Sequence, residues 1–512
     1  MNKNSTFLFW VIAIGLFILF GLYQYLPYGP YGMHQGAQAD RACIGLNYYQ
    51  ESMNFFEPRV MESRNMKGVT GMEFPIIAYA SAMIYQLIGY NHLAYRVIEA
   101  LIFLLGQWAV WQIGSYFITK PLHRALIQIA WISSPILVFY SNNFLPEVPA
   151  LSFSLMAWHY FFRYYYGIEP QKSALGFGLF SMLAALLKVT YLIPGIAIIV
   201  LWVIRKKLPF EFIKKPKPLL LSWAIGIIPV ISWYTYSKFL TNISYNQHFL
   251  QQINPPTSIS DFFENTRYAL NTWIDSIYPR NFIILILLVW LYSLQRNIKQ
   301  ISLVGALSIL LFLGFASIFL LFNKQYRYHD YYFIQVLPFL FFTLLYIYQT
   351  QLSQTIIFKG LVGIICAIGL YAAPIINFSH AKNQVRSTYT DGNYYCQNVL
   401  NNIWDMEPTR AYIQREFGSG EIIVAFDPSP NTMLYYLGRQ GIRLAPDFEE
   451  ILSVGIIQSK LDEKTLAQPY IIINEYFSYP KDHYIHKLIQ GKPVFTTGDI
   501  RIYQLNKRVF DY

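Results

Sequence analysis

The sequence predicts a polytopic α-helical membrane protein with a small α/β domain at its C-terminal end. Three observations predict it. The 512 residues are 54% hydrophobic and only 13% charged, with a positive mean hydropathy, whereas a soluble chain carries about 25% charged residues. Apolar runs of roughly 18 or more residues recur, each long enough to cross a bilayer core of about 30 Å. Beyond residue 377 the apolar runs shrink to strand length.

Hydropathy places spans at 7–26, 94–117, 122–140, 146–166, 174–187, 190–204, 218–240, 281–296, 301–322, 331–349 and 355–377. Lys188 interrupts the region 174–204 and leaves two short halves, so one crossing or two remain open there. With two, about eleven crossings put the N-terminus inside and everything after residue 378 outside. Lys120/Arg124, Arg163/Lys172, the basic run 205–217 and Arg296/Lys299 then all fall on the inner side, as the positive-inside rule requires. The net charge of +11 therefore reads as a topology signal and not as a nucleic-acid surface. Met1 to Asn4 precede an apolar stretch with no small-residue cleavage site after it, which reads as an uncleaved first helix. The three cysteines set no disulfide framework. Cys366 lies in an apolar span, while Cys43 and Cys396 could both face the oxidising side, leaving a bridge between them open.

The first span is followed by a polar loop instead of a tight return. Residues 27–75 hold His34, Asp40, Arg41, Glu51, Glu57, Arg59, Glu62, Arg64, Lys67 and Glu73, a density of charge that a simple anchor does not need. Residues 74–90 are apolar but too short to span comfortably, and Pro75 opens them, so a helix lying in the interface is expected. A second long outer loop covers 241–280, with Asn254-Pro255-Pro256 and Tyr278-Pro279-Arg280 as turn material. In the C-terminal domain, 378–512, strands are expected at Ile422–Phe426, Tyr470–Asn474 and Ile500–Leu505, with a helix-like stretch from Pro430 to Gln440. No glycine-rich phosphate loop, HExxH or CxxC pair occurs.

The candidate chemistry lies near the outer ends of the spans. Asp40, just beyond the first span, suits a general base on an acceptor hydroxyl or a metal ligand; it suits equally a solvated loop residue. Glu147, after Pro146, is a second carboxylate, or a first-turn residue favoured by the helix dipole. Lys188 is the cation most deeply set among apolar neighbours and would face a lipid phosphate, unless it snorkels to an interface. The segment Tyr326-Arg327-Tyr328-His329-Asp330-Tyr331-Tyr332 combines cation, imidazole and carboxylate, which an aromatic belt does not explain. Arg327 and His329 suit phosphate, and Tyr328 and Tyr331 suit sugar. Glu73 and Lys67, which flank the turn before the interfacial helix, could hold a metal or lipid phosphate or anchor the loop, and Arg96 with Glu99 reads as a local ion pair.

These stretches together resemble the GT-C glycosyltransferases, in particular the bacterial family related to protein O-mannosyltransferases and to the lipid A aminoarabinose transferase. The likeness rests on Gln38-Ala39-Asp40-Arg41-Ala42 with Asn47-Tyr48-Tyr49 and Met53 to Arg59, on Gly71-Met72-Glu73-Phe74-Pro75-Ile76, and on Tyr95-Arg96-Val97. The Leu187-Lys188 break and Arg327 to Tyr332 through Pro338 also fit. It covers roughly residues 1–350. The resemblance implies a GT-C-like catalytic domain over 1–377, with outer-loop interfacial helices at 27–93. It implies transfer of a hexose or pentose from a polyprenyl-phosphate donor to a glycan, lipid or protein acceptor, with inversion, at the outer face of the cytoplasmic (inner) membrane. Asp40 would then be the base and Glu147 its partner. Lys188, Arg327 and His329 would face the donor phosphate, with Glu73, Tyr328 and Tyr331 on substrate. The family often has a second acid directly after the Asp; Arg41 stands there instead, which leaves a divalent metal open. A transporter or flippase of lipid-linked glycans is the rival from another class, and a glycan polymerase or ligase with a diphosphate-linked donor the rival within it. Against the transporter, no matching halves or paired broken helices occur.

Overall fold

The computed structural model describes residues 3–63, 68–207, 216–244, 249–250, 253–352 and, further on, 379–380, 382–385, 407–417, 423–427, 429, 431–444, 470–474, 483 and 485–506. The expected span at 355–377, Arg64, Lys67, Cys366 and Cys396 lie outside the described residues. The chain divides into two compact units. One comprises Met1–Leu26, Arg96–Tyr234 and Gln252–Arg386; the other comprises Pro27–Tyr95, Thr235–Gln251 and Ser387–Tyr512.

The helices run α1 (Lys3–Leu19), α2 (Gln35–Gln50), α3 (Ile76–Ile88), α4 (His92–Phe117), α5 (Pro121–Ile132), α6 (Pro135–Phe139), α7 (Glu147–Tyr165), α8 (Pro170–Leu187) and α9 (Ile193–Ile204). They continue through α10 (Lys217–Ser244), α11 (Ile259–Ile277), α12 (Arg280–Arg296), α13 (Leu303–Leu321), α14 (Asn323–Tyr328) and α15 (Leu337–Ile347). Pro121, Pro135, Pro170, Pro194 and Pro338 each sit in a first turn, where the missing N–H costs nothing. Ser258 and Ser302 cap α11 and α13 through their hydroxyls.

Among the described residues four helices are long and apolar enough to cross a membrane: α4, α10, α13 and the stretch Asp330–Thr350. The number rises to six if each of two bent pairs counts as one span. The protein is thus a multi-pass helical membrane protein. The span expected over 122–140 is not one rod: α5 and α6 meet at 75°. Pro135 has no N–H to give the Trp131 carbonyl one turn back, so the ladder breaks there. The Tyr278 hydroxyl donates to that carbonyl oxygen at 3.1 Å, alongside the Ser134 N–H at 3.4 Å. The aromatic core of this unit centres on the fully buried Trp131, Trp158 and Tyr346.

In the other unit α2 and α3 pack together, and Gly45 allows the approach, since a Cβ there would stand 3.3 Å from the Ala78 carbonyl oxygen. Along α3, Ile77, Ala78, Ala82 and Tyr85 are buried, and Met83, Leu87 and Ile88 are exposed. Further along, β1 (Ile423–Phe426), β2 (Gly441–Leu444), β3 (Tyr470–Asn474), β4 (Ile489–Thr497) and β5 (Ile500–Leu505) form one sheet in the order β2-β1-β3-β5-β4. The first three are parallel, and β5 and β4 are antiparallel. The β-branched runs read from sequence thus become β1, β3 and β5, and the helix expected over 430–440 is α16 (Thr432–Leu437).

Both sheet edges are managed. At β4, a bulge between Gln490 and Phe495 carries Lys492 and Pro493, which blunt the edge. At β2 the loop before α3 closes it: Gly441 N–H donates to the Met61 carbonyl (2.9 Å) and Ser63 N–H donates to the Gly441 carbonyl (2.8 Å). Residues 61–63 are in effect a short extra strand.

Candidate functional site

The unit that contains the sheet holds Asp40 and Glu73. Asp40 lies in the second turn of α2, and its Oδ1 accepts a 2.7 Å hydrogen bond from Asn431 Nδ2. Asn431 is fully buried, and its Oδ1 accepts the Glu62 N–H at 2.8 Å. A backbone N–H can only donate, so the amide oxygen must face Glu62 and the NH2 must face the carboxylate. Asn431 precedes α16 but does not cap it. Asp427 takes that role, its carboxylate accepting from Ser429 N–H (2.9 Å) and Met433 N–H (2.8 Å). Asn431 is thereby left to bridge the loop and α2.

Arg41, next to Asp40, turns toward Glu73: its Nε donates to Glu73 Oε1 at 2.7 Å, with both side chains nearly buried. Its guanidinium also lies over Phe249 and bonds the Ala37 carbonyl. Glu73 is positioned by a close approach. Ser237 Oγ donates to the Met72 carbonyl at 2.6 Å, and at Gly71 a Cβ would fall 1.8 Å from the Ser237 carbonyl oxygen. Cys43 is a buried, free thiol one turn from Asp40. Burial, then the charge of Asp40, pushes its pKa well above the usual thiol value, so it stays protonated. Among the described residues no three His, Cys, Asp or Glu side chains converge as a metal-binding group.

The other unit holds Glu147, Lys188 and the tyrosine-rich motif. Glu147 opens α7 after Pro146 and is 1% exposed. Lys188 stands where α8 stops; its φ of −150° and ψ of 111° break the helix, and a 3-10 turn, Val189–Leu192, leads into α9. Its Nζ reaches Glu147 Oε1 at 2.8 Å and lies 5.7 Å from the Tyr332 ring centre. Tyr332 stacks on Tyr331, and Tyr331 on His329, each at 5.2 Å. Asp330 is held by the Tyr140 hydroxyl at 2.7 Å, which ties the motif to the turn after α6. Arg327 points elsewhere. It pairs with Glu264 (2.8 Å) and Asn265 (3.2 Å) on α11 and lies over the Tyr268 and Tyr328 rings. Tyr328 is exposed and Tyr331 buried. Arg96, also fully buried, donates to the Asn142 carbonyl at 2.7 Å and lies over Phe144.

Sequence reasoning reached Glu147 and Lys188 separately and did not pair them; the helix break and the Pro-Glu-Val-Pro start were the signals. It missed Asn431 altogether, because an Asn before a helix reads as an ordinary cap.

No protein-family model matches the chain, and no curated protein sequence matches it. Solved structures do. ArnT from Cupriavidus metallidurans superposes in the apo state with a TM-score of 0.59 at 11% identity, covering 96% of this chain and 98% of that one. The same protein bound to undecaprenyl phosphate gives 0.60 at 11% identity, covering 98% of each chain. The Archaeoglobus fulgidus oligosaccharyltransferase, in its apo form, gives 0.56 at 10% identity, covering 92% of this chain and 70% of that one. These are GT-C glycosyltransferases, and the expected likeness to that class holds at the level of the fold. The protein is a GT-C-fold membrane protein with a small C-terminal sheet.

Proposed function

We propose that this protein is a membrane glycosyltransferase that moves a hexose or pentose from a polyprenyl-phosphate donor to an acceptor hydroxyl on a glycan, lipid or protein. The reading includes about eleven crossings, a transmembrane catalytic part over 1–377 and an extracytoplasmic domain over 378–512, with the reaction at the outer face of the cytoplasmic membrane. The observation that carries it is a fold shared over almost the whole chain with ArnT, which has been crystallised with undecaprenyl phosphate.

In this reading Asp40 takes the proton of the acceptor hydroxyl as its oxygen attacks the anomeric carbon. The bond from that carbon to the phosphate oxygen breaks on the opposite face, so the configuration inverts and polyprenyl phosphate leaves. Lys188 offsets the charge growing on that phosphate, the electrostatic contribution such a step needs most, and Arg327 joins it by leaving its pair with Glu264. Glu147 holds the Lys188 ammonium in place through their 2.8 Å contact. His329 supports the phosphate, and Tyr328, Tyr331 and Glu73 meet the substrates.

The test uses purified protein, a panel of radiolabelled undecaprenyl-phosphate sugars and a membrane extract as acceptor. Wild type is expected to place label in a new product, and Asp40→Ala to abolish it. Equal transfer by both would remove Asp40 from the reaction. Movement of the labelled lipid across vesicles without any change in its covalent structure would replace the transferase with a transporter.

A further inference from the structure

Asn431 places one side-chain hydrogen bond on the loop before α3 and one on α2. Its oxygen fixes the Glu62 N–H, and its nitrogen fixes Asp40 Oδ1. Residues 61–63 on the edge of β2 hold the same loop from the other side, so the amide has little freedom to turn. The cation nearest Asp40 in sequence, Arg41, commits its Nε to Glu73. A neutral amide orients a carboxylate while depressing its basicity less than a cation would, which suits a base that must accept a proton. Capping of α16 would be the usual use of an Asn at this position, and Asp427 relieves it of that.

From this geometry we infer that Asn431, supplied by the C-terminal α/β domain, is a positioning residue for Asp40, so that this domain completes the site instead of only lying beside it. The inference rests on the reading of Asp40 as the base. Asn431 touches neither sugar nor lipid in this account; it acts through the carboxylate it holds.

The discriminating change is Asn431→Asp. It keeps an acceptor for the Glu62 N–H, removes the donor facing Asp40 and sets a second carboxylate against it, so that the pair holds a shared proton. The measurement is transfer from the undecaprenyl-phosphate sugar that wild type uses, with kcat and donor KM separated, alongside the melting temperature of the full-length protein in nanodiscs. Loss of a hydrogen bond to a charged group alone predicts a fall in kcat of roughly 10- to 100-fold with donor KM unchanged, which is the result expected of the uncharged Asn431→Ser, and the added carboxylate deepens the fall in Asn431→Asp. The exchange double variant Asp40→Asn/Asn431→Asp restores one donor and one acceptor across the gap. It is expected to recover the melting temperature of wild type and to show no transfer. Asn431→Ser serves as a second, smaller variant should Asn431→Asp fold poorly. If kcat is unchanged in a folded Asn431→Asp while Asp40→Asn alone abolishes transfer, this inference fails and the base assignment stands. If Asp40→Asn alone retains transfer, the base assignment itself fails.

Discussion

Replacing Lys188 by Met removes one half of a buried ion pair and keeps the length of the side chain. Glu147 is 1% exposed, and its Oε1 lies 2.8 Å from the Lys188 ammonium. Stranding a buried carboxylate in this way costs about 3–5 kcal/mol. The Lys188 side chain keeps 21% of its exposure, so some water reaches the pair and the lower end applies, ~3 kcal/mol. Glu147→Gln should cost less, because a Gln can still accept from the ammonium. The double variant Glu147→Gln/Lys188→Met carries no charge at all and should lie close to wild type. The assay is reversible unfolding of the purified protein in mixed micelles, run as a double-mutant cycle. A Lys188→Met variant as stable as wild type would refute the argument. So would a double variant destabilised by more than the two single variants summed, since the coupling would then have the wrong sign.

Two further outcomes follow from the start of α11 in the same unit. The Arg327–Glu264 pair is open to solvent, 29% and 68% exposed for the two side chains, so Glu264→Gln should leave the unfolding midpoint unchanged. In the proposed reaction Arg327→Ala should nevertheless raise the donor KM, as read in the transfer assay; a normal KM would take Arg327 off the phosphate. Asp261 accepts from the Thr257 N–H and hydroxyl, which pull its pKa from the ordinary 3.8 to about 2. Its ionised form therefore favours the folded first turn of α11 fully above pH ~4, and the contribution is lost as pH falls toward 2. Hydrogen exchange over 257–265 should accelerate across that window in wild type and show no such step in Asp261→Asn.

How much of this was legible in the sequence depended on how local the cause was. The strands at 423–426, 470–474 and 500–505 were readable because β-branched runs between turn residues are a local signal. β2 was not, since Gly441-Ile442-Arg443-Leu444 is short and buried at every position, with no alternation to find. β4 was hidden by its own edge protection, a polar strand carrying Lys492 and Pro493. The bend between α5 and α6 was announced by Pro135, but hydropathy averages over it. At the site, Arg41 read as a missing acid. Only the fold reveals that it meets the carboxylate of Glu73, 32 residues on. Asn431 left no trace, because what makes it significant is a partner at the other end of the chain.

That separation has a consequence for the order in which the protein comes into being. The bond from Asn431 to Asp40 joins residues 391 apart, and the bond to Glu62 spans 369. At a synthesis rate of about 5–20 residues per second, roughly 20–80 s pass between the making of Asp40 and of the amide that orients it. Throughout that interval the loop 61–63 has no strand to join, and the carboxylate lacks its amide partner. Activity on the proposed reading would switch on late and all at once, when the last strands form, so that a nascent or truncated chain in the membrane would hold its spans but not a working base.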